Sequence, residues 1–195
     1  MQVAALWLAG MSLFDAACNS MATLAAGGFS PHPLSIAGYQ SPAIEWIVIV
    51  FMFAGGANFA LQYRVVQGHG RALLNDEEIR AYVGVIIVST VVVAAFLTAA
   101  GLATGDAIRH GLFQVVSILT TTGFASVDFN LWSDQAKIVL LGLMFIGGCA
   151  GSAAGGPKVV RHVLMARFTF RELRRTLHPR ATSRSDSEGG SSPKK

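Results

Sequence analysis

Long apolar runs separated by short polar segments dominate this chain. Three runs contain no charged residue: 46–63, 82–103 and 138–156, of 18, 22 and 19 residues. About 20 residues of α-helix cross a hydrocarbon core of roughly 30 Å, so each run predicts a membrane span. The opening apolar segment, 1–14, is interpreted as a truncated span, because it lacks the charged start and cleavage site of a signal peptide.

The composition also indicates a membrane protein. Hydrophobic residues make up 52% of the chain and charged residues 13%, whereas soluble domains carry roughly 25% charged residues. The two cysteines lie in apolar stretches, which excludes a disulfide scaffold. Most of the chain lacks the basic surface that a nucleic-acid binder needs. Because no catalytic triad or metal-ligand spacing is present, we expect an all-α membrane protein that is not an enzyme.

Basic residues are concentrated towards the end of the chain. Ten of the 15 Lys and Arg residues lie in the last 38 residues, and three more lie in 64–80. Since cytoplasmic loops are enriched in Lys and Arg, segments 64–80 and 158–195 are expected to face the cytoplasm. The tail 167–195 is expected to contact anionic membrane lipid. After about residue 181 it is rich in Ser and Gly, which predicts disorder.

Two stretches of the sequence repeat at an offset of 95 residues. Ala22–Phe29 (ATLAAGGF) matches Ser117–Phe124 (SILTTTGF), and each is followed by a polar loop and an uncharged run containing Phe-x-Gly-Gly. The apolar segments leading into them, 15–26 and 106–119, would be only about 18 and 21 Å long as helices. They predict half-helices that enter the membrane and return, which requires shielding by protein or a water-filled cavity.

The repeat divides the chain into two pore units. They cover 1–66 and 82–166, are joined by a cytoplasmic linker at 67–81, and are followed by the tail. Each unit consists of a span, a half-helix, a filter loop and a second span, the second span of the later unit being 138–160 with a Gly-rich loop. The fold class predicted is therefore an all-α membrane protein built from repeated pore units.

Small and hydroxylated residues follow each half-helix. Successive backbone carbonyls there can replace the hydration shell of a cation, glycine permits the backbone angles needed, and threonine adds a hydroxyl oxygen. The negative end of each half-helix favours a cation, and the absence of a carboxylate favours a monovalent one. A surface turn is the alternative for either segment alone, and the recurrence favours a filter. The candidate filter residues are Ala25, Ala26, Gly27 and Gly28, and Thr120, Thr121, Thr122 and Gly123.

A glycine-rich segment interrupts the last apolar run. Gly147, Gly151 and Gly155 are spaced as in helix-packing faces, whereas the following Gly156-Pro157 favours a loop. Both interpretations remain open. A phosphate-binding loop is excluded, since Lys158 follows a proline and no strand precedes it. The candidate residues of this segment are Gly151, Ser152, Gly155, Gly156 and Lys158.

On these residues the chain resembles the Trk/Ktr/HKT superfamily of potassium transporters, in particular its bacterial Trk-type uptake membrane subunits. The matching text is TLAAGGFSPH (23–32), SILTTTGFASVDF (117–129) and FIGGCAGSAAGGPKVVR (145–161). The resemblance implies four pore units around one pathway, of which this chain would hold the second and third. It also implies potassium as the transported ion, held by filter backbone carbonyls, with Gly28 and Gly123 as filter glycines and 151–158 as the gate.

The resemblance further implies a homodimer in the bacterial inner membrane and a cytosolic nucleotide-binding regulatory ring. No bound cofactor is expected beside potassium as substrate. Ala25 and Ala26 stand where the family leads us to expect threonine, and the Ser/Gly-rich end predicts a fragment or an altered reading frame. Because the first and fourth pore units are absent, the chain is not expected to transport alone. The alternatives are a membrane scaffold or assembly protein, in which the glycines serve only helix packing, and a product that inserts without activity.

Overall fold

The structure, a computed structural model, describes residues 1–68 and 76–177, with side chains described up to residue 173. Within these ranges the regular structure is helical and contains no strand. Two short 3-10 helices lie at Ser35–Tyr39 and Phe129–Leu131. The α-helices are α1 Gln2–Leu8, α2 Leu13–Leu24, α3 Pro42–Gly56, α4 Phe59–Val66, α5 Glu77–Ala99, α6 Thr104–Leu119, α7 Asp134–Leu143 and α8 Val159–Leu177.

Helix α5 is the helix of the described part that is by itself long and apolar enough to cross a membrane. It has 23 residues and lies in the predicted span 82–103 for most of its length. Asp76 caps its start by accepting a hydrogen bond from the amide of Ile79 at 3.0 Å. Carboxylates in its first turn suit the positive end of the helix dipole. It packs most extensively against α6, and Gly111 of α6 lies close to the backbone of α5.

The segments predicted as half-helices, 15–26 and 106–119, are helical over α2 and α6. These helices contain 12 and 16 residues, and lengths of about 18 and 24 Å are too short to cross a membrane. Ser12 caps α2 by accepting from the amide of Asp15 at 3.1 Å. Both helices carry buried residues along one face and pack against α3.

The predicted span over 46–63 is not a single helix. Helix α3 ends at Gly56, α4 begins at Phe59, and the two axes differ by 108°. Asn58 explains the new start, because its side-chain oxygen accepts hydrogen bonds from the amides of Ala60 at 2.9 Å and Leu61 at 3.3 Å. Taken as one bent unit, α3 and α4 are also apolar enough to cross a membrane.

The predicted span over 138–160 is divided too. Helix α7 ends at Leu143, and residues 144–158 contain no helix. Gly147 and Gly151 adopt φ values of +75° and +70°, outside the α-helical region. The helix-packing interpretation of the glycine spacing is therefore wrong, because these glycines do not share a helix face. Below, residues 144–158 are called the gate loop.

The last two boundaries predicted from the sequence also differ from the structure. Helix α8 continues without interruption across the expected border between the second pore unit and the tail at 166 and 167. The linker 67–81 is described only in part, and residues from 77 onward already belong to α5. The disorder predicted after about residue 181 lies outside the described residues.

A buried ion pair joins the two pore units. Glu45, near the start of α3, accepts a hydrogen bond from Nε of Arg109 on α6 at 2.8 Å. The two side chains are 7% and 19% exposed. Arg109 also contacts Asp106 at 2.9 Å, and the ring of His110 lies 3.6 Å from Glu45. Because an unpaired charge is unfavourable in an apolar interior, this cluster fixes α3 against the half-helix α6.

We expect Arg109→Gln to lower the free energy of unfolding by about 3 kcal/mol, because it leaves the carboxylate of Glu45 buried beside a neutral partner. The control is Lys137→Gln, which removes a cation paired with Asp134 at a more exposed site and should cost at most about 1 kcal/mol. Denaturation by SDS in mixed micelles, followed by tryptophan fluorescence, measures both. Equal losses in the two variants would contradict a structural role for the buried pair.

Candidate functional site

Both half-helices end in the same backbone motif. At the end of α6, the amide of Thr121 donates to the carbonyl of Ile118 at 3.0 Å, and the amide of Thr122 donates to the carbonyl of Ser117 at 2.9 Å. This is the Schellman pattern, which satisfies carbonyls that a helix end leaves unpaired. The corresponding bonds at the end of α2, 95 residues earlier, measure 3.2 and 2.8 Å.

Two of the four residues after each half-helix also have matching positive φ values. Ala26 and Thr121 are left-handed, with φ of +51° and +57°, at the position where glycine usually stands in this motif. Gly28 and Gly123 follow with φ of +67° and +83°. The repeat seen in the sequence is therefore a repeat of conformation. We call residues 25–28 and 120–123 the first and second filter loops.

The two filter loops touch each other through their backbones. A Cβ atom added to Gly28 would overlap the carbonyl oxygen of Thr122, so only glycine permits this approach. The polar loops that follow are joined as well. The amide of Ala37 donates to the carbonyl of Ala125 at 3.0 Å, and the amide of Ala125 donates to the hydroxyl of Ser35 at 3.2 Å. The structure thus brings the two sets of candidate filter residues together.

Two of the three filter threonines use their hydroxyl groups to hold the helix end. Thr120 donates to the carbonyl of Val116 at 2.8 Å, and Thr122 lies 2.8 Å from the hydroxyl of Thr120. Both side chains are buried. The expectation that threonine hydroxyls add oxygens for an ion does not fit Thr120 and Thr122, because both hydroxyl groups are buried and paired within the protein. At these two positions the backbone carbonyls are the oxygens that remain for an ion. Ser117 holds the loop from behind by donating to the carbonyl of Phe124 at 2.6 Å.

The gate loop packs against the break between α3 and α4. Each of these segments supplies hydrogen-bond partners for the other. Three backbone hydrogen bonds of 3.0 to 3.1 Å join them: the amides of Cys149 and Ala153 donate to the carbonyls of Gly56 and Gly55, and the amide of Phe59 donates to the carbonyl of Gly151.

The residues predicted for a gate all lie in the gate loop. Ser152 donates to the carbonyl of Cys149 at 2.6 Å, and the ammonium group of Lys158 donates to the carbonyl of Ala154. Gly156 has φ of +71°, which favours glycine. The amide of Gly155 donates to the hydroxyl of Thr121 at 2.7 Å. The gate loop is thereby in direct contact with the second filter loop.

Sequence reasoning missed three residues that support the site. Glu78 on α5 accepts a hydrogen bond from the amide of Ala150 at 2.5 Å. Tyr82 donates to the carbonyl of Phe53 at 3.3 Å, and its hydroxyl occupies the space beside Gly56. The third is Asn58. A signal for it was present, since an N-cap residue follows the first of the two Phe-x-Gly-Gly sequences.

The phenylalanines that follow the filter glycines differ in environment. Phe124 is 1% exposed and belongs to the hydrophobic core, whereas Phe29 at the equivalent position is 83% exposed. Gly28 meets the neighbouring filter loop, whereas a Cβ atom on Gly123 would have no neighbour within 4 Å. The two filter loops therefore meet at Gly28, whereas Phe29 and Gly123 lie at open surfaces.

The contact between the filter loops predicts different effects of two matched substitutions in this chain. Gly28→Ala and Gly123→Ala both place alanine at positive φ, at a cost of about 1 kcal/mol each. We expect Gly28→Ala to destabilise the chain by at least about 2 kcal/mol more, because it also forces the loops apart. SDS denaturation in mixed micelles measures the difference. Equal stability of the two variants would show that the loops are not in contact.

Comparison with known proteins identifies the family. A family described as TrkH, cation transport protein, matches residues 1–190. The Trk system potassium uptake protein TrkH of Escherichia coli K12 is 39% identical over 189 residues, covering 91% of this chain and 37% of the relative. The Halomonas elongata protein TrkI is 32% identical, with 89% and 36% covered.

A solved structure is similar as well. The crystal structure of the potassium transporter TrkH from Vibrio parahaemolyticus has a TM-score of 0.87 and 38% identity, and the match covers 98% of this chain. This chain spans 42% of that protein, and 37% of the Escherichia coli relative. Its fold is thus an all-α membrane fold with pore-helix repeats. The chain belongs to the TrkH family of cation transport proteins.

Proposed function

We propose that this chain supplies two adjacent filter loops of a Trk-type potassium uptake protein, and that potassium passes along their backbone carbonyls. The observation that carries the proposal is the pair of half-helices that end in the same motif and bring their filter loops into contact. The Escherichia coli relative is named a potassium uptake protein, which supports potassium as the ion.

The electrostatics of the filter loops favour a monovalent cation. Each half-helix directs a C-terminal end, which carries a partial negative charge, towards its filter loop. Residues 25–28 and 120–123 contain no carboxylate, and among the described residues no group of three or more His, Cys, Asp or Glu could hold a metal ion. Dipolar oxygens without a formal charge bind an ion weakly enough to release it, as conduction requires.

The competing proposal, a scaffold in which glycines only pack helices, has less support. Gly147, Gly151 and Gly155 lie in the gate loop rather than on a helix. Gly28 is required by the approach of the second filter loop. The glycines therefore shape irregular backbone, which a membrane tolerates where it is enclosed by protein or lines a cavity.

Two filter loops do not enclose a pathway, so transport requires further units. Gly123 and Phe29 mark the open boundaries at which these units would pack. We propose that the complete protein adds them and that this chain alone does not transport. The matched relatives, of which the chain spans 36–38%, are long enough to contain them.

The surroundings that we propose are a bacterial inner membrane, crossed several times. The basic helix α8 would face the cytoplasm, because Lys and Arg are enriched on that side. It contacts α5 through Arg167 and Glu77, 2.5 Å apart, and it exposes Leu164 and Phe168. The partners that we propose for this face and for the complete protein are anionic lipid, a second copy in a homodimer and a cytosolic nucleotide-binding regulatory ring.

Gly123→Ser tests the transport function. The test protein is a chimera in which residues 1–177 replace the matching segment of the Vibrio parahaemolyticus TrkH. We expect the chimera to restore growth of uptake-deficient cells at low potassium. Gly123→Ser should lower the preference for potassium over sodium about tenfold, as a change of about 1.4 kcal/mol in relative barriers would do. Uptake of rubidium and sodium tracers measures it.

The control for this test is Gly84→Ser on α5, where a Cβ atom also meets nothing within 4 Å. It should leave the preference unchanged. A chimera that is inserted and stable but indifferent to Gly123→Ser would contradict the filter assignment and would favour the scaffold.

A further inference from the structure

A groove of about 640 Å³ lies between α5 and the bent pair α3 and α4. Its lining is apolar except for Gln62 and Arg80. The wall on α5 includes Val83, Gly84 and Ile87, and a Cβ atom added to Gly84 would have no neighbour within 4 Å. The groove is therefore open along the helix that is long enough to cross the membrane.

The two walls of the groove are joined through one aromatic contact. Tyr82 of α5 stacks on Phe53 of α3 with ring centroids 5.3 Å apart, and its hydroxyl donates to the carbonyl of Phe53 at 3.3 Å. Helix α4 then turns by 108° relative to α3. The groove is thus part of the folded structure, and an apolar chain that filled it would restore the dispersion contacts that an empty space forfeits.

Arg80 is the charged residue of the groove lining. Among the described residues its side chain forms no ion pair or hydrogen bond, whereas the neighbouring carboxylates are engaged. Glu77 pairs with Arg167 at 2.5 Å, and Glu78 accepts a hydrogen bond from the amide of Ala150 at 2.5 Å. The donors of the Arg80 guanidinium group are therefore available to an anion from outside the chain.

Gln62, the other polar residue of the lining, is already paired. Its side-chain amide donates to the carbonyls of Ala54 at 2.6 Å and Ala57 at 3.2 Å, at the end of α3. Within the part of the chain that the structure describes, the groove thus offers an apolar surface and an unpaired cation. A ligand that complements both has an anionic group at one end and a hydrocarbon chain beside it.

The depth of Arg80 in the membrane matches the headgroup region of a lipid. Arg80 stands in the first turn of α5, whose 23 residues extend about 35 Å against a hydrocarbon core of roughly 30 Å. The first turn therefore lies near the level of the headgroups. From Arg80 to Ile87 the groove continues for about 10 Å along α5 towards the hydrocarbon. A phospholipid presents its phosphate and its acyl chains in the same order.

We propose that the groove binds one anionic phospholipid, with an acyl chain between α4 and α5 and its phosphate group on the guanidinium of Arg80. A phosphate accepts two parallel hydrogen bonds from a guanidinium group, which makes arginine well suited to bind it. Basic pockets between membrane helices bind anionic lipid headgroups. The inference rests on the proposed membrane surroundings and is independent of ion passage.

Native mass spectrometry of the purified chain, with added phosphatidylglycerol or phosphatidylcholine, tests the headgroup assignment. We expect one phosphatidylglycerol to bind about tenfold more tightly than phosphatidylcholine, and Arg80→Gln to remove this advantage, because it removes a charge-assisted hydrogen bond. The control is Arg161→Gln, which removes the same charge at an exposed position of α8 outside the groove. It should change the affinity for phosphatidylglycerol by less than about twofold.

Gly84→Phe tests whether an acyl chain occupies the groove. The phenylalanine side chain would fill the groove, and replacing a glycine inside a helix also favours the helix, so α5 should stay folded. The control is Gly142→Phe on α7, where an added Cβ atom likewise meets nothing within 4 Å. We expect only Gly84→Phe to abolish tight binding. Tight binding of phosphatidylglycerol that survives either Arg80→Gln or Gly84→Phe would overturn the proposed site.

The same variants in the chimera decide whether lipid or protein occupies the groove in a complete transporter. We expect both Arg80→Gln and Gly84→Phe to remove one bound phosphatidylglycerol. Unchanged lipid binding in both would show that another unit of the complete protein covers the groove, and would overturn the proposal. Gly123→Ser should leave lipid binding unchanged, so a failure of the filter assignment and a failure of the lipid site are distinguished by different measurements.

Discussion

A helix that ends inside an apolar interior leaves its last four carbonyl groups without intrahelical partners, and this constraint organises the whole structure. In both half-helices three of these carbonyls accept bonds from the filter loop that follows, at equivalent positions in the two units. The left-handed residue in each loop makes these bonds possible. The loop backbone that follows is irregular and polar, and it lies at the negative end of a helix dipole. These are the conditions under which backbone carbonyls can replace the hydration shell of a cation.

The same constraint explains why the two interrupted helices pack together. The break between α3 and α4 and the gate loop both expose backbone groups that a lipid environment would leave unsatisfied. They satisfy one another through reciprocal hydrogen bonds, and Glu78 takes up one further amide of the gate loop. The gate loop therefore depends on the first unit for its anchor and on Thr121 of the second unit for its contact with the filter. Neither unit alone provides both.

The sequence predicted the features that repeat. Because the motif ending in Gly28-Phe29 recurs 95 residues later, it located both half-helices and the irregular backbone that follows each of them, and it indicated the all-α membrane class. The break at Asn58 was not predicted, although an N-cap residue follows the Phe-x-Gly-Gly sequence there, because the run satisfies the length and hydropathy of a single span. The expected role of the threonine hydroxyls did not fit Thr120 and Thr122, because choosing between an ion and a helix carbonyl as partner requires the folded backbone.

Contacts between residues that are distant in the chain could not be predicted from the sequence either. Glu45 and Arg109 are 64 positions apart, and nothing in their local patterns indicates that they pair. The glycine spacing in the gate loop suggested helix packing and loop formation equally, and the break after Leu143 decided in favour of a loop. Gly28 shows most clearly what the sequence alone could not predict. Its glycine was recognised, but the reason for it, the carbonyl of Thr122, lies in the other unit.

The proposed function depends on the binding of the transported ion by the backbone carbonyls of the two filter loops. The most direct measurement is a crystal structure of the complete protein grown with rubidium in place of potassium, with data collected at the rubidium absorption edge. We predict an anomalous peak within coordination distance of backbone carbonyl oxygens in both 25–28 and 120–123. Rubidium peaks elsewhere in the membrane region, with none beside these two loops, would contradict it.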